Sequence, residues 1–243
     1  MVAVDCDVAV VVDVLSFTTT LTVAADRNTR VFPFRVDDRQ AAATLAAARK
    51  ATLAVRRSNA GPGQVSLSPR SVRAAPGPLE RLVLPSPNGS TISFQLAETG
   101  ATVLGVSLRN RLAAADWLSR RGFGDSSPRL AVIAAGERWP DGSLRPAVED
   151  QWGAGALIEA LRVRGWSGLS PEAEAAAASY RAVAGDLGSA LGTCAGRREL
   201  SSGHRTQVGA AAHTSQLVCG GAALCAVGVG LCAVARRCVP SAR

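Results

Sequence analysis

Lysine is nearly absent from this chain of 243 residues: Lys50 is the only one, and every other basic side chain apart from two His is an Arg. Aromatic residues make up only 4% of the sequence, too few to supply the stacking platforms that nucleic-acid binders interleave with their cations. The net charge of +8 therefore does not imply a nucleic-acid partner. The charge is also uneven, because the stretch from Cys194 onward carries six Arg against the single acid Glu199. Abundant Arg and Ala with scarce Lys is the pattern of a GC-rich coding sequence. The balance that remains suits an enzyme acting on small anions.

Other absences narrow the chemistry. The six cysteines, Cys6, Cys194, Cys219, Cys225, Cys232 and Cys238, form no Cys-x-x-Cys pair, and no His stands at a ligand spacing from them, which argues against a zinc site. They read as reduced thiols of a cytoplasmic protein. His204 and His213 have no Gly-x-Ser-x-Gly elbow nearby, and no Gly-x4-Gly-Lys-Ser/Thr loop occurs, so neither a serine-hydrolase triad nor a P-loop nucleotide hydrolase is expected. Asp5 and Asp7 interrupt the first apolar run, which is not the pattern of a signal peptide. Near the other end, Leu217 to Ala235 carries no charge and is long enough to raise a membrane helix. Its many Gly and Ala residues favour a core-packed or loosely attached extension instead, with Val227, Val229 and Leu231 alternating as in an edge strand. Residues 213–243 are accordingly set apart from an α/β domain spanning 1–212.

The chain is organised around Asp7-Val-Ala-Val-Val-Val-Asp13-Val-Leu-Ser-Phe-Thr-Thr-Thr20. The unbroken run Val8–Val12 predicts a strand buried on both faces, as in a parallel sheet. Asp13 at its carboxyl end needs a cation or donors to offset desolvation. Ser16 is placed to cap a helix whose first N–H groups could meet an anion, with the hydroxyls of Thr18, Thr19 and Thr20 alongside. A plain strand-to-helix turn with a capping Asp would look the same.

Further elements follow at α/β spacing: strands at Arg30–Phe34, Leu53–Val55, Arg81–Leu84, Thr102–Val106 and Arg129–Ala134, and helices from Asp37 to Lys50, Ser90 to Glu98 and Asn110 to Arg121. Arg57–Pro78 is rich in Gly, Pro and Ser and reads as a loop or excursion. From Glu149 to Cys194 the pattern is helical, with breaks at Gly165–Ser170 and Gly185. The expected fold class is α/β, a three-layer α/β/α sandwich with a largely parallel or mixed central sheet. Ligands in such sheets bind beyond the carboxyl ends of the strands, where Asp13, Asn88 and Glu137 all fall.

Two more stretches carry site chemistry. In Ser86-Pro-Asn-Gly-Ser-Thr91, Gly89 allows close backbone approach, Ser90 can cap a helix and leave its N–H groups for an oxyanion, and Asn88 could donate to that oxyanion or ligate a metal. A bare Asn-Gly turn is the alternative. In Ala135-Gly-Glu-Arg138 followed by Val148-Glu-Asp-Gln-Trp-Gly-Ala-Gly155, Arg138 could bind a phosphate or sulfonate oxygen or simply pair with Glu137. Glu149 and Asp150 could serve a site or merely complement a helix start. Gly153, Ala154 and Gly155 would let that helix press on the sheet.

Taken together, in order and spacing, Val10–Thr20, Pro87–Ser90, Ala135–Arg138 and Glu149–Gly155 resemble 2-phosphosulfolactate phosphatases. The resemblance implies a magnesium-dependent acid phosphatase with an α/β/α sandwich that releases phosphate from 2-phospho-3-sulfolactate on the route to coenzyme M. It makes Asp13, Glu137, Glu149 and Asp150 candidates for holding Mg²⁺ or its waters, and Thr18, Thr19, Thr20, Asn88 and Arg138 candidates for the phosphate and sulfonate. Mg²⁺ prefers oxygen ligands and keeps several waters, which suits such a set. The chain departs from the family pattern around the third strand, where Val55-Arg-Arg-Ser-Asn59 stands in place of a Gly-Glu-Arg segment and only Ser68-Pro69 survives of an Asn-Ser-Pro. The expected partner is a small phosphorylated, in the family sulfonated, acid; self-association is left open. A catalytically idle α/β protein that binds small anions is the competing reading.

Overall fold

The computed structural model describes residues 6–121, 129–203, 218–219 and 232–237. Its first strand, β1 (Val8–Val12), leads into α1 (Phe17–Asp26), then β2 (Arg30–Phe34), α2 (Arg39–Arg49) and the short β3 (Thr52–Leu53). A 3₁₀ turn at Arg57–Asn59 and the short α3 (Pro69–Arg73) fill the Gly/Pro/Ser-rich stretch before β4 (Arg81–Pro85) and α4 (Gly89–Ala97). Next come β5 (Thr102–Val106), α5 (Arg111–Arg120), β6 (Arg129–Ala134) and a hairpin of β7 (Glu137–Arg138) and β8 (Leu144–Arg145). The helix α6 (Val148–Arg162), β9 (Trp166–Ser167), α7 (Pro171–Val183), α8 (Leu187–Thr193) and α9 (Ala195–Gly203) follow, with β10 (Val218–Cys219) and β11 (Cys232–Arg237) near the end.

These elements build an α/β sandwich, but apart from the β7–β8 hairpin the strands divide between two sheets. The larger has the order β10-β5-β1-β6-β11-β9, with β1 parallel to both β5 and β6, and β10 and β11 antiparallel to their neighbours. The smaller is parallel, β2-β4-β3. Every side chain of β1 is buried because both faces of the larger sheet are covered. Val8, Val10 and Val12 pack with α5, α6 and α7, while Ala9 and Val11 turn to the α4 side with Leu96. Each such aliphatic side chain withdrawn from water is worth about 1.5–3 kcal/mol. The smaller sheet lies between α1 and α3 on one face, through Phe17, Leu21 and Val72, and α2 on the other, through Ala42 and Ala46.

Local sequence accounts for the boundaries, with some shifts. Asp38, not Asp37, caps α2: its carboxylate accepts from the Ala41 N–H at 2.9 Å, and Lys50 closes the helix at φ 48°. Gly153 presses on β1, since a Cβ there would stand 2.7 Å from Val12 Cγ1. Gly155 faces α7 rather than the sheet, with the Ala176 carbonyl oxygen 2.0 Å from where its Cβ would be. In the stretch set apart as an extension, β11 pairs with both β6 and β9; Val227, Val229 and Leu231 lie outside the described residues. Among the described residues, no helix is long and apolar enough to cross a membrane.

Candidate active site

Asp13 follows β1 directly, and the chain turns there into α1. The turn closes on itself: Thr18 Oγ1 donates to the Asp13 carbonyl at 2.7 Å and accepts from the Asp13 N–H at 3.1 Å. Thr19 Oγ1 donates to the Val14 carbonyl and Thr20 Oγ1 to the Ser16 carbonyl, each at 2.7 Å. The Asp13 carboxylate then spans two elements. Oδ1 accepts from the Phe17 N–H at 3.0 Å and Oδ2 from the Gly89 N–H at 2.9 Å. Gly89 is required for that approach, because a Cβ there would stand 2.6 Å from Asp13 Oδ2.

Three more carboxylates join it. Asp150, in the first turn of α6, accepts from the Val14 N–H at 2.7 Å and the Gly136 N–H at 3.0 Å, tying together the chain just past β1 and β6. Glu137 opens β7 and accepts from Asn88 Nδ2 at 2.8 Å. Glu149 is buried against the start of α9, beside the Cys194 thiol and so close to Gly196 that a Cβ there would stand 2.0 Å from Oε1. Arg57, from the 3₁₀ turn, reaches into the same cluster and donates to Ser16 Oγ and to the Leu67 carbonyl.

The electrostatics follow from three buried acids with half-buried Glu137 beside them. Burial pushes the Asp13 carboxyl up, opposed by its two backbone donors, and the Glu149 charge adds to the rise. Burial also raises Asp150 well above the ordinary carboxylate range, helped by the Asp13 charge. Glu137 is raised by burial and then by Asp13, against the Asn88 hydrogen bond. Arg57 is lowered by burial, and the Asp13 and Glu137 charges hold it up. Arg145, paired across the hairpin from Glu137, ion-pairs with Glu199 of α9 at 2.7 Å and favours the ionised form of Glu137. A cavity of about 510 Å³ opens beside this cluster, lined by Ser16, Arg57 and Glu137 among others. It lies in the size range of small-molecule pockets, about 300–1,000 Å³.

The structure thus gathers Asp13, Asn88, Gly89, Glu137, Glu149 and Asp150 at one place. The rest of the sequence-derived set makes other contacts. The hydrogen bonds of the Thr18, Thr19 and Thr20 hydroxyls are made within the turn. Ser16 precedes α1 without capping it through its side chain, and donates to the Leu67 carbonyl at 3.0 Å instead. Ser90 lies inside α4, wholly buried, and its hydroxyl joins β2 to β4 through the Phe34 N–H and the Phe34 and Leu84 carbonyls. Arg138 is exposed and donates to the Gly142 carbonyl at the hairpin turn. Arg57 and Arg145 stand close enough to the carboxylates to act on their charge. Arg57 follows the third strand, so the carboxyl-end rule that selects Asp13, Asn88 and Glu137 also reaches it.

The donor set is all oxygen, and buried acids outnumber the buried cation, so the chemistry suits a hard divalent ion. Among the described residues, no three His, Cys, Asp or Glu side chains are grouped so as to hold a metal on their own. Glu149 and Asp150 are expected to differ. Asp150→Ala would orphan two buried N–H groups at about 1–3 kcal/mol each, partly offset by removing a buried charge. Glu149→Ala leaves no backbone donor of the β1 and β6 ends unpaired. Denaturant midpoints of the metal-free variants should fall clearly for Asp150→Ala and little for Glu149→Ala; equal midpoints would contradict the assignment.

A search of curated proteins gives no match to this chain. A family model described as 2-phosphosulpholactate phosphatase matches residues 3–213, a span that contains every residue of the cluster. With its motifs converging at the strand ends of an α/β sandwich, the chain belongs to the 2-phosphosulpholactate phosphatase family, a family of phosphoric monoester hydrolases.

Proposed function

We propose that the protein is a Mg²⁺-dependent phosphatase of a small anionic hydroxy acid, with 2-phospho-3-sulfolactate as the substrate. The observation that carries this reading is the cluster of three buried carboxylates, Asp13, Glu149 and Asp150, beside half-buried Glu137 and Arg57, the two of the set that line the cavity. Asp13, Glu149 and Asp150 would hold the ion or its waters, which when bound neutralises charge on the phosphoryl oxygens.

Of the four carboxylates, Glu137 lines the cavity, and its raised affinity for protons suits a base working nearer neutral pH. Glu137 orients a water for in-line attack, and Asn88 fixes the carboxylate through Oε2. The water oxygen bonds to phosphorus, its proton passes to Glu137, and the phosphorus–oxygen bond to the hydroxy acid breaks, leaving an alkoxide that takes a proton from solvent, to which Glu137 then returns its own. Arg57 stabilises the equatorial phosphoryl oxygens, and its own bonds to Ser16 and Leu67 hold the guanidinium in position.

Glu137→Gln is expected to lower kcat by about 10²–10⁴-fold, the usual worth of a positioned base. KM should change far less, and a kcat within threefold of wild type would remove Glu137 from this role. The reaction itself is tested by turnover in ¹⁸O-water with mass analysis of the products. One labelled oxygen in phosphate and none in 3-sulfolactate is expected. Label in the acid, or no product, would contradict the proposal; binding without product would favour an idle anion-binding protein.

A further inference from the structure

The cavity carries more positive charge than a phosphoryl group uses. Besides Arg57, its lining includes Arg39, at the first position of α2, and Arg56, next to Arg57 in the chain. Both side chains are exposed, and neither guanidinium has a hydrogen-bond or ion-pair partner among the described residues. The other arginines near the site have their tasks: Arg57, held by Ser16 and Leu67, faces the phosphoryl group, and Arg145 pairs with Glu199. Glu137 is the one acid in the lining, against three guanidiniums, and the walls between them include Leu53, Val55, Leu67 and Leu200. Apolar walls lower the local dielectric and strengthen the attraction of such cations for an anion. The guanidinium fork also matches a carboxylate or sulfonate in two parallel hydrogen bonds.

We propose that Arg39 and Arg56 form a second anion subsite, which holds an acid group of the substrate remote from its phosphate. Arg39 and Arg56 are then the residues that set the preference for phosphate monoesters carrying a further strong acid over those that carry none. This rests on the phosphatase reading for its consequence in turnover, but the subsite itself can be measured without turnover.

The test is the double variant Arg39→Gln/Arg56→Gln, both positions being exposed. Phosphate release is measured from 2-phospho-3-sulfolactate, which has two further acid groups, and from p-nitrophenyl phosphate, which has none. The variant should lose about 30- to 100-fold in kcat/KM on the first, mainly through KM, and about threefold or less on the second, as expected for lost charge-assisted hydrogen bonds. Calorimetric binding of 3-sulfolactate, which lacks the phosphate, should weaken by a similar factor. Equal losses on both substrates, no loss on either, or unchanged 3-sulfolactate binding would overturn the subsite. If the wild type releases phosphate from neither ester, the phosphatase reading fails and calorimetry decides the subsite alone. Binding lost in the variant supports it; equal or absent binding in both proteins overturns it.

Discussion

Asp13→Asn is expected to abolish Mg²⁺-dependent turnover and to destabilise the metal-free protein. The loss of activity should exceed the roughly 100-fold that removing an outer partner of a metal costs. Sequence reasoning alone leads one to expect that removing a buried charge leaves the thermal midpoint equal or higher. The hydrogen bonds reverse that expectation. Both carboxylate oxygens accept backbone N–H groups, from Phe17 and Gly89. An amide supplies one acceptor and turns its NH₂ toward the other donor, orphaning it at about 1–3 kcal/mol.

The pH dependence has a definite sign. Asp13 and Asp150 are both raised in the folded protein, so the fold binds their protons more tightly than the unfolded chain does. Their contribution to stability is complete below the ordinary carboxylate range near pH 4 and is lost as pH climbs through the raised values. Midpoints of the metal-free wild type should fall over that window, and those of Asp13→Asn should fall less. A variant more stable than wild type at pH 4, or parallel pH profiles, would contradict this account of the carboxylate.

Gly89→Ala should be among the most damaging single-methyl changes in the chain. Its Cβ would lie 2.6 Å from both Asp13 Oδ2 and Phe17 Cδ1. Neither neighbour is the loose end of a flexible side chain: Phe17 is wholly buried, and Asp13 is pinned by two N–H groups. The added methyl therefore drives α4 away from α1 and breaks the 2.9 Å bond from Gly89 to Asp13. Overpacking costs about 1–3 kcal/mol, and a hydrogen bond to a charged group about 1.5–3. A combined loss of roughly 3 kcal/mol or more by chemical denaturation is expected, with turnover lost as Asp13 moves. A change below about 1 kcal/mol with activity retained would show that the Asp13–Gly89 contact is not the constraint described.

Much of this arrangement was legible in the residues, because it depends on local pattern. The Val8–Val12 run, the helix starts and the strand ends bearing Asp13, Asn88 and Glu137 are set by burial period and by turn chemistry. What the sequence did not reveal depends on who pairs with whom. Nothing in the apolar periodicity of β2, β3 and β4 marks them for a separate sheet, since a parallel strand reads the same beside any neighbour. The Thr hydroxyls looked available because their carbonyl partners, four and five residues back, exist only once the turn closes. The hairpin register, which sets Arg145 and not Arg138 opposite Glu137, is likewise invisible in the sequence. Arg57 was hidden by its surroundings, a Gly/Pro/Ser-rich stretch whose composition says loop and nothing of where the loop returns.

The most direct test of the central claim is the rate of phosphate release from 2-phospho-3-sulfolactate as Mg²⁺ is titrated into metal-free wild type and Asp13→Asn. The cluster described here requires a rate that rises from near zero to saturation in the wild type, collapses on chelation and stays flat in the variant. A metal-independent rate, or the same Mg²⁺ dependence in both proteins, would contradict it.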